Sequence, residues 1–477
     1  MEDIENQESK RQNNGSINIP LLNSVSAGSG SIESSKGQLW MVYLCSLAAF
    51  CGSLQCGICT GYVSPSESGI VEELGLNTAQ ISLFASILNF GGMIGAITSG
   101  YIADSIGRRG AMGVSSSFCL AGWLTIYLAK GVLSLDIGRL ATGYGLGLSI
   151  YVVPIFITEI APKTLRGALS SLTVVTMSSG VAATFGLGVV LDWRNLALVG
   201  LIPCAIQLLL IPLIPESPRW LAKIGKQKEF EASLQRLRGK HADISQEASE
   251  IQEYMETSEQ LQKSKLTDLF QRKYMRSLII GVGMIGLQQF SGVSGVSSYM
   301  STVFDSIGFD ANIGSIAFAL FQVVLCALMA TRIDKAGRRV FLLISASGMV
   351  LGCTIVGGSS YLEDIEAISK LVHVFAFGGI MVYGGSYVVG MASIPNMIVA
   401  EIFPINVKGL AGSLTNLTSW ICACIVVYTF NFFISWSSSG TFFIYAGINV
   451  VSFIFILILV PETKGKSLEE IQAAVNE

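Results

Sequence analysis

Three short motifs with acidic residues, two of which also contain basic residues, each occur twice in the chain. They are Asp-Ser-Ile-Gly-Arg-Arg at 104–109 and Asp-Lys-Ala-Gly-Arg-Arg at 334–339, Glu-Ile-Ala-Pro-Lys-Thr-Leu-Arg-Gly at 159–167 and Glu-Ile-Phe-Pro-Ile-Asn-Val-Lys-Gly at 401–409, and Pro-Glu-Ser at 215–217 and Pro-Glu-Thr at 461–463. Carboxylates and guanidinium groups at helix ends can form ion pairs that exist in one conformation and break in another. The repetition in the same order predicts two structurally related halves.

These charges are predicted to pair when a central cavity faces outward and to separate when it opens inward, and so to bias an equilibrium between two conformations. The alternative is that the basic residues only fix the orientation of the chain in a membrane. The acidic residues argue against that alternative, because orientation by positive charge needs no carboxylates. The candidate gating residues are Asp104, Arg108, Arg109, Glu159, Arg166, Glu216, Arg219, Asp334, Arg338, Arg339, Glu401, Lys408 and Glu462.

Two adjacent amides, Gln288 and Gln289, lie in an apolar segment beside glycines. On a continuous helix, Gln288, Gly292, Gly295 and Tyr299 would form one stripe. An amide both donates and accepts hydrogen bonds, so it can pair with a hydroxyl group in either orientation. The stripe therefore predicts a binding surface for a ligand rich in hydroxyl groups. The alternative is that the amides only join neighbouring helices.

The elements that must position these residues are long apolar segments. The chain is 51% hydrophobic and 13% charged with 51 glycines, which does not fit one water-soluble core of 477 residues. A helix that crosses the hydrocarbon layer needs about 20 mostly apolar residues. We find twelve such segments, which begin near Trp40, Ala79, Met112, Val132, Ala168, Asn195, Ser277, Ile313, Val340, Val372, Leu410 and Gly440.

The predicted fold is an all-α membrane protein with twelve transmembrane helices in two six-helix bundles. Basic loop residues place both termini in the cytoplasm, because cytoplasmic loops carry excess Lys and Arg. The predicted divisions are a disordered tail at 1–38, an N-terminal bundle at 39–215, a cytoplasmic helical linker at 216–276, a C-terminal bundle at 277–461 and a cytoplasmic tail at 462–477.

Composition argues against several functional classes. With 30 basic and 33 acidic residues, a nucleic-acid partner is not expected. The chain has only two histidines, and all ten cysteines lie in apolar segments. Both facts argue against a metal site. Glycine-rich stretches such as 143–147 follow no predicted strand, so they are not nucleotide-binding loops. We expect no cofactor, no metal and no enzymatic activity.

The repeated motifs resemble those of the sugar-porter family of the major facilitator superfamily. The resemblance covers residues 40–468 and includes Pro-Glu-Ser-Pro-Arg-Trp-Leu at 215–221, Gln-Gln-Phe-Ser-Gly at 288–292 and Pro-Glu-Thr-Lys-Gly at 461–465. The stretch Tyr-Thr-Phe-Asn-Phe at 428–432 is most similar to plant early-response-to-dehydration-like monosaccharide transporters. The resemblance implies the major facilitator fold and transport of a monosaccharide, such as a hexose, by alternating access through the lipid bilayer.

The resemblance also implies a sugar site, and the chain departs from the family pattern there. Ser294 replaces an Asn, Asn396 replaces a Trp, and Val174 replaces a Gln that many members have. These changes are expected to alter sugar preference, and loss of transport is the alternative. The candidate binding residues are Gln288, Gln289, Ser294, Tyr299, Asn396 and Asn416.

Coupling to protons depends on the first apolar segment. Proton-coupled relatives carry Asp at the position of Cys59, next to an arginine that corresponds to Arg139. A buried thiol stays neutral and cannot take that part. We therefore favour facilitated diffusion. The alternative is a proton symporter in which Asp136, three residues before Arg139 on the same helical face, carries the proton.

Two further expectations concern the role and the location of the chain. A sugar sensor with a transporter fold is the less favoured function, because sensors are expected to carry long cytoplasmic extensions. The polar tail contains Leu21 and Leu22, which resemble a dileucine sorting signal. This feature favours the vacuolar membrane over the plasma membrane.

Overall fold

In a computed structural model, the chain is helical throughout most of the residues that the structure describes, which are 39–260, 269–330, 337–363 and 369–463. The α-helices of the N-terminal part and the linker are α1 (Trp40–Gly61), α2 (Val63–Leu74), α3 (Thr78–Ser105), α4 (Gly107–Tyr127), α5 (Val132–Ile160), α6 (Arg166–Gly188), α7 (Trp193–Leu210), α8 (Pro218–Lys223), α9 (Gln227–Arg238) and α10 (Ser245–Gln260). The α-helices of the C-terminal part are α11 (Arg272–Phe290), α12 (Val293–Ser298), α13 (Met300–Ser306), α14 (Ala311–Met329), α15 (Arg338–Glu363), α16 (Ser369–Ser386), α17 (Ile394–Ile402), α18 (Ile405–Trp436) and α19 (Ser438–Leu459).

Long helices occupy all twelve positions at which apolar segments were predicted. Within the described ranges, eleven helical segments are long and apolar enough to cross a membrane. Helix α4 does not meet that composition, because it is rich in Gly and Ser. It nevertheless packs between α5 and α7 like a spanning helix.

Helix packing repeats between the two halves. In the N-terminal half, α1 packs on α6, α3 on α5 and α4 on α7. In the C-terminal half, α11 packs on α18, α14 on α16 and α15 on α19. The same three pairings therefore occur in each set of six, as the repeated motifs predicted.

Glycines bring helix backbones close together inside the N-terminal half. A Cβ atom at Gly147 of α5 would lie 2.1 Å from the carbonyl oxygen of Gly92 in α3. A Cβ atom at Gly57 of α1 would lie 2.0 Å from the carbonyl oxygen of Met177 in α6. Small residues at such contacts let membrane helices approach closely and pack well.

The segment after α11 differs from the continuous helix that the sequence predicted. Gly292 has φ +95, so α11 ends at Phe290 and α12 begins at Val293 in a new direction. A second irregularity is a π-helical turn at Tyr387–Met391 between α16 and α17. Non-helical backbone at membrane depth is tolerated where it is buried in protein or lines a cavity.

The three linker helices lie against the N-terminal half. Trp220, Leu221, Phe230, Leu234 and Ile251 form a small apolar core between them. Arg238 pairs with Glu247 at 2.7 Å and donates to the carbonyl of Ile160 at the end of α5. Lys163 forms an ion pair with Glu250 at 2.8 Å.

Candidate functional site

A cavity of about 640 Å³ lies between the two halves, among α6, α14 and the α16–α17 region. Its wall contains Val174 and Val175 from α6, Cys326 from α14, and Ser393 and Met397 beside the π-helical turn. The lining reaches Gly167 at the start of α6 and Ala330 after α14. Both ends are predicted to be cytoplasmic, so this cavity lies on the cytoplasmic side of the predicted orientation.

On the opposite side, the two halves are joined by hydrogen bonds. The hydroxyl groups of Ser64 in α2 and Ser301 in α13 lie 2.9 Å apart. Thr302 donates to Glu67 at 2.6 Å, and Asn431 of α18 donates to the same carboxylate at 3.2 Å. The structure is therefore closed on the side predicted to be outer and has its cavity on the side predicted to be cytoplasmic.

One of the two predicted amides, Gln289, is partly accessible, although neither amide belongs to the lining of the cavity described above. Gln289 is half-buried, donates to the Ser419 hydroxyl at 2.9 Å, and accepts a hydrogen bond from Ser294 at 2.9 Å. Trp420, the next residue in α18, is also half-buried and packs over Gly92 of α3. Amide, hydroxyl and aromatic groups therefore lie together between the halves, which is the set that a sugar ring requires.

Gln288 has a different role. Its amide is 4% exposed and donates to the carbonyls of Met391 and Ala392, at 2.5 Å and 3.2 Å. These carbonyls belong to the irregular turn between α16 and α17, where the helical pattern leaves backbone groups without regular partners. Gln288 therefore holds this turn, which is the interhelical alternative noted for the amides.

Tyr299 does not reach the cavity, contrary to the predicted stripe. Its side chain is fully buried, and its ring stacks on Phe430 with centroids 5.7 Å apart. The reason is the break at Gly292, because a stripe drawn across it assumes one continuous helix. Tyr299 packs between the halves near their outer side.

Asn396 and Asn416 are both exposed. Asn396 precedes Met397, which lines the cavity. Ile421 and Ile425 form an exposed apolar stripe on α18. At about 3.6 residues per turn, Asn416 lies on the opposite side of that helix. Its position therefore fits the interior between the halves better than the lipid-facing surface.

Arg139 is 1% exposed and lies against α1. Its Nη1 donates to the carbonyl oxygen of Cys59 at 2.8 Å, and its guanidinium lies over the rings of Tyr62 and Phe84 at 5.8 Å and 5.3 Å. In the described part of the chain, no ion pair includes Arg139, and Asp136 does not pair with it. The buried Oδ1 of Asp136 has no hydrogen-bond partner.

Several of the candidate gating residues of the N-terminal half form one network at the helix ends that are predicted to be cytoplasmic. Arg108 binds Glu159 through two nitrogens at 2.9 Å and 3.0 Å, and it also pairs with Asp104 at 3.1 Å. Glu216 accepts hydrogen bonds from the backbone N–H groups of Arg108 and Arg109 at 3.0 Å and 3.1 Å. Burial raises the pKa of the Glu216 carboxyl, while these backbone donors and the charge of Arg109 lower it.

The C-terminal half repeats this network in a looser form. Arg338 pairs with Glu401 through one nitrogen at 3.3 Å, and the second oxygen of Glu401 has no partner. Glu462 accepts from the backbone N–H groups of Arg338 and Arg339 at 3.0 Å and 3.2 Å. Asp334 lies outside the described residues. So do residues 464–477 of the predicted C-terminal tail and residues 1–38, which include Leu21 and Leu22.

These ion pairs are intact although the cavity lies on the predicted cytoplasmic side, so this structure does not show the separation expected on inward opening. The physical reason is that each pair lies within one half, so a rigid rotation of one half against the other would not by itself separate it. Arg166 is half-buried with its Nε unpaired, and Lys408 is exposed. Arg219 does not pair with an acid in these contacts but lies over the ring of Tyr254 in the linker at 5.6 Å. Among the candidate gating residues, Asp104, Arg108, Glu159, Arg338 and Glu401 therefore form ion pairs. No ion pair of Arg166, Arg219 or Lys408 occurs among the described residues.

Comparison with known proteins agrees with this architecture. The family model described as sugar (and other) transporter matches residues 5–475. The chain belongs to this family of sugar transporters. It is 53% identical to "Sugar transporter ERD6-like 7" of Arabidopsis thaliana over 96% of this chain and 98% of that protein, and 49% identical to "Sugar transporter ERD6-like 8" of the same plant over 91% and 93%.

Solved structures of similar fold support the helical architecture of this sugar transporter. The inward open conformation of the xylose transporter XylE from E. coli matches with a TM-score of 0.79 and 23% identity, over 91% of this chain and 99% of that one. The proton:xylose symporter XylE bound to 6-bromo-6-deoxy-D-glucose matches with a TM-score of 0.72 and 24% identity, over 92% and 99%. The protein is therefore a multi-pass membrane protein of the major facilitator fold and is not an enzyme.

The sequence did not point to three residues of the sugar transporter whose contacts the structure shows. Ser419 and Trp420 complete the group around Gln289. Both lie in an apolar helix, where a hydroxyl and an indole give no signal that separates packing from ligand contact. Glu67 lies in a polar segment that reads as a loop, and its partners lie in the other half of the chain.

Proposed function

We propose that the protein carries a monosaccharide across the membrane by facilitated diffusion, with alternating access to a site around Gln289, Ser294, Ser419 and Trp420. The combination of a closed outer side and a cavity on the cytoplasmic side supports alternating access. The family resemblance supports a hexose-like substrate. The groups at the site that can pair with hydroxyls support a sugar in general.

One observation carries the choice of facilitated diffusion. Arg139 is buried and binds the backbone carbonyl of Cys59, and no carboxylate among the described residues forms an ion pair with it. A carboxylate beside a buried arginine can link proton binding to a conformational change, whereas a carbonyl cannot change its charge. This contact therefore supports a carrier that works without a proton.

The proposal is tested by uptake of labelled hexoses and pentoses into proteoliposomes, with and without an inward-directed pH gradient. We expect uptake to equilibrate and to ignore the gradient. The variant Cys59→Asp should gain sensitivity to the gradient, and Cys59→Ser is the neutral control that should behave like the natural protein. Accumulation driven by the gradient in the natural protein would refute facilitated diffusion.

A proton symporter is the second candidate, and one observation favours it. The carboxyl of Asp136 is nearly buried and its Oδ1 has no partner, so it is available to bind a proton. If uptake follows the gradient, Asp136→Asn should abolish that dependence while leaving equilibration of the sugar intact.

A further inference from the structure

The outer side of the transporter is closed through an acidic residue. Glu67 lies in α2, beyond the end of the first spanning helix. Its Oε2 accepts a hydrogen bond from Thr302 in α13, and its Oε1 accepts one from Asn431 in α18. Both partners belong to the C-terminal half, so a single carboxyl group connects three helices across the interface of the halves.

We propose that Glu67 is the latch of the outer gate, and that protonation of its carboxyl group stabilises the state in which the outer side is closed. The inference uses the alternating access of the proposed function but does not depend on which sugar is carried or on whether a proton is transported.

Within the described ranges, no ion pair includes Glu67. The buried Arg139 of α5 faces the phenol of Tyr299, as Glu67 does, but its guanidinium donates to the carbonyl of Cys59 and lies over Tyr62 and Phe84. From α13 the nearest charged group is Asp305, and the phenol of Tyr299 lies between α12 and α13. On α2 itself, Glu72 is exposed and Glu73 binds Arg194, the basic residue that α7 brings to this side. The outer ends of α3, α6 and α18 carry no charged residue.

The electrostatic balance favours the protonated form when the gate is closed. Burial raises the pKa of the Glu67 carboxyl, the hydrogen bonds from Thr302 and Asn431 lower it, and Asp305 raises it, with a net rise. In an open gate the group would be hydrated and have its ordinary pKa of about 4.3. The closed state therefore binds the proton more tightly, and acidification shifts the equilibrium towards closure.

Both protonation states can keep the contacts of the latch. The Thr302 hydroxyl accepts as well as donates, and the Asn431 amide can turn so that its carbonyl oxygen accepts a hydrogen bond from the O–H of a neutral carboxyl group. Stabilisation by protonation is complete below the ordinary pKa and is lost as the pH rises through the raised pKa of the closed state. Between those values, the ratio of closed to open molecules changes by up to about tenfold per pH unit.

The test measures the distance between the outer ends of the halves without any sugar. Spin labels are placed at Ala79 of α3 and Asn312 of α14, both exposed, with the partly exposed Cys326 and Cys424 replaced by Ser. The full chain is reconstituted in nanodiscs, and the distance distribution is recorded by pulsed electron resonance from about pH 8 to about pH 5, the range above the ordinary carboxyl pKa.

We expect the long-distance population to fall as the pH is lowered. Glu67→Gln, a neutral analogue that keeps an acceptor, should remain closed at every pH, and Glu67→Ala should be enriched in the open form. Glu72→Gln, on the same helix but exposed, should respond to pH like the unsubstituted protein. A normal pH response in Glu67→Gln, no response in the unsubstituted protein, or opening on acidification would overturn the proposal. If Glu67→Ala does not fold, Glu67→Gln alone decides.

Discussion

The contact between α1 and α6 at Gly57 leads to a quantitative prediction for Gly57→Ala. A Cβ atom there would lie 2.0 Å from the carbonyl oxygen of Met177 and 2.9 Å from the Cα of Gly180. Heavy atoms in favourable contact lie about 3.5 Å apart, so the helices would have to separate by roughly 1.5 Å. The obstructing atoms are backbone, which cannot rotate away as a side chain would.

The expected cost follows from two opposing terms. Overpacking of a well-packed contact costs about 1–3 kcal/mol, and replacing a helical Gly by Ala recovers about 0.5–1 kcal/mol. Because the obstructing atoms are backbone, the upper part of that range applies, and a cost of about 2–3 kcal/mol less a gain of about 0.5–1 kcal/mol leaves a net loss of about 1–2.5 kcal/mol. This loss lowers Tm by roughly 2–10 °C for a unit of 150–250 residues. Transport should also fall, because α6 lines the cavity and packs on α14 of the other half.

The measurement is the Tm of the purified full chain in detergent, followed by size-exclusion chromatography after heating. The matched control is Gly186→Ala on α6, where no atom lies within 4 Å of the new Cβ. This control should keep its Tm or gain a few degrees, since only the helix-propensity term of about 0.5–1 kcal/mol applies. A Gly57→Ala protein that melts at or above the temperature of the unsubstituted protein would refute the reasoning.

Two further substitutions test the site and the cytoplasmic network. Gln289→Ala removes the amide that is proposed to pair with a sugar hydroxyl, so we expect the KM for sugar uptake to rise about tenfold with little change in Tm, since one hydrogen bond contributes about 1 kcal/mol or more. A clear fall in Tm with an unchanged KM would show that this amide serves packing instead. Gly107→Ala places a Cβ 2.3 Å from the Glu216 carboxylate at a residue with φ +84, and it should lower Tm by more than Gly75→Ala, where φ is +65 but nothing lies within 4 Å. Equal Tm values for the two variants would contradict this.

The fold could be predicted because its signals are local. Length and hydropathy locate most spanning helices, since each needs only its own run of apolar residues. Helix α4 is the weakest case, because its Gly and Ser residues lower its hydropathy while serving close packing. The repeated motifs also predicted which residues form the charged networks, since Arg108, Glu159, Arg338 and Glu401 all make ionic contacts.

Contacts between distant parts of the chain were harder to predict. Tyr299 was placed at the site because a helical stripe was continued through Gly292, and a glycine in an apolar helix can equally be a packing contact or a break. The sequence also did not show that each network stays within its own half. Glu67 gave no signal at all, because its meaning depends on Thr302 and Asn431, which only the folded chain brings near it.

The docking of the linker has a consequence for biosynthesis. The contacts of Arg238 with Glu247 and Ile160, and of Lys163 with Glu250, join residues that have all been synthesised before the chain reaches α11. Since domains generally fold in the order of their synthesis, the first six long helices and the linker helices packed on them can assemble on the ribosome as one unit. The second half then inserts beside a finished partner, whose α3 and α6 offer the surfaces on which α18 and α14 pack.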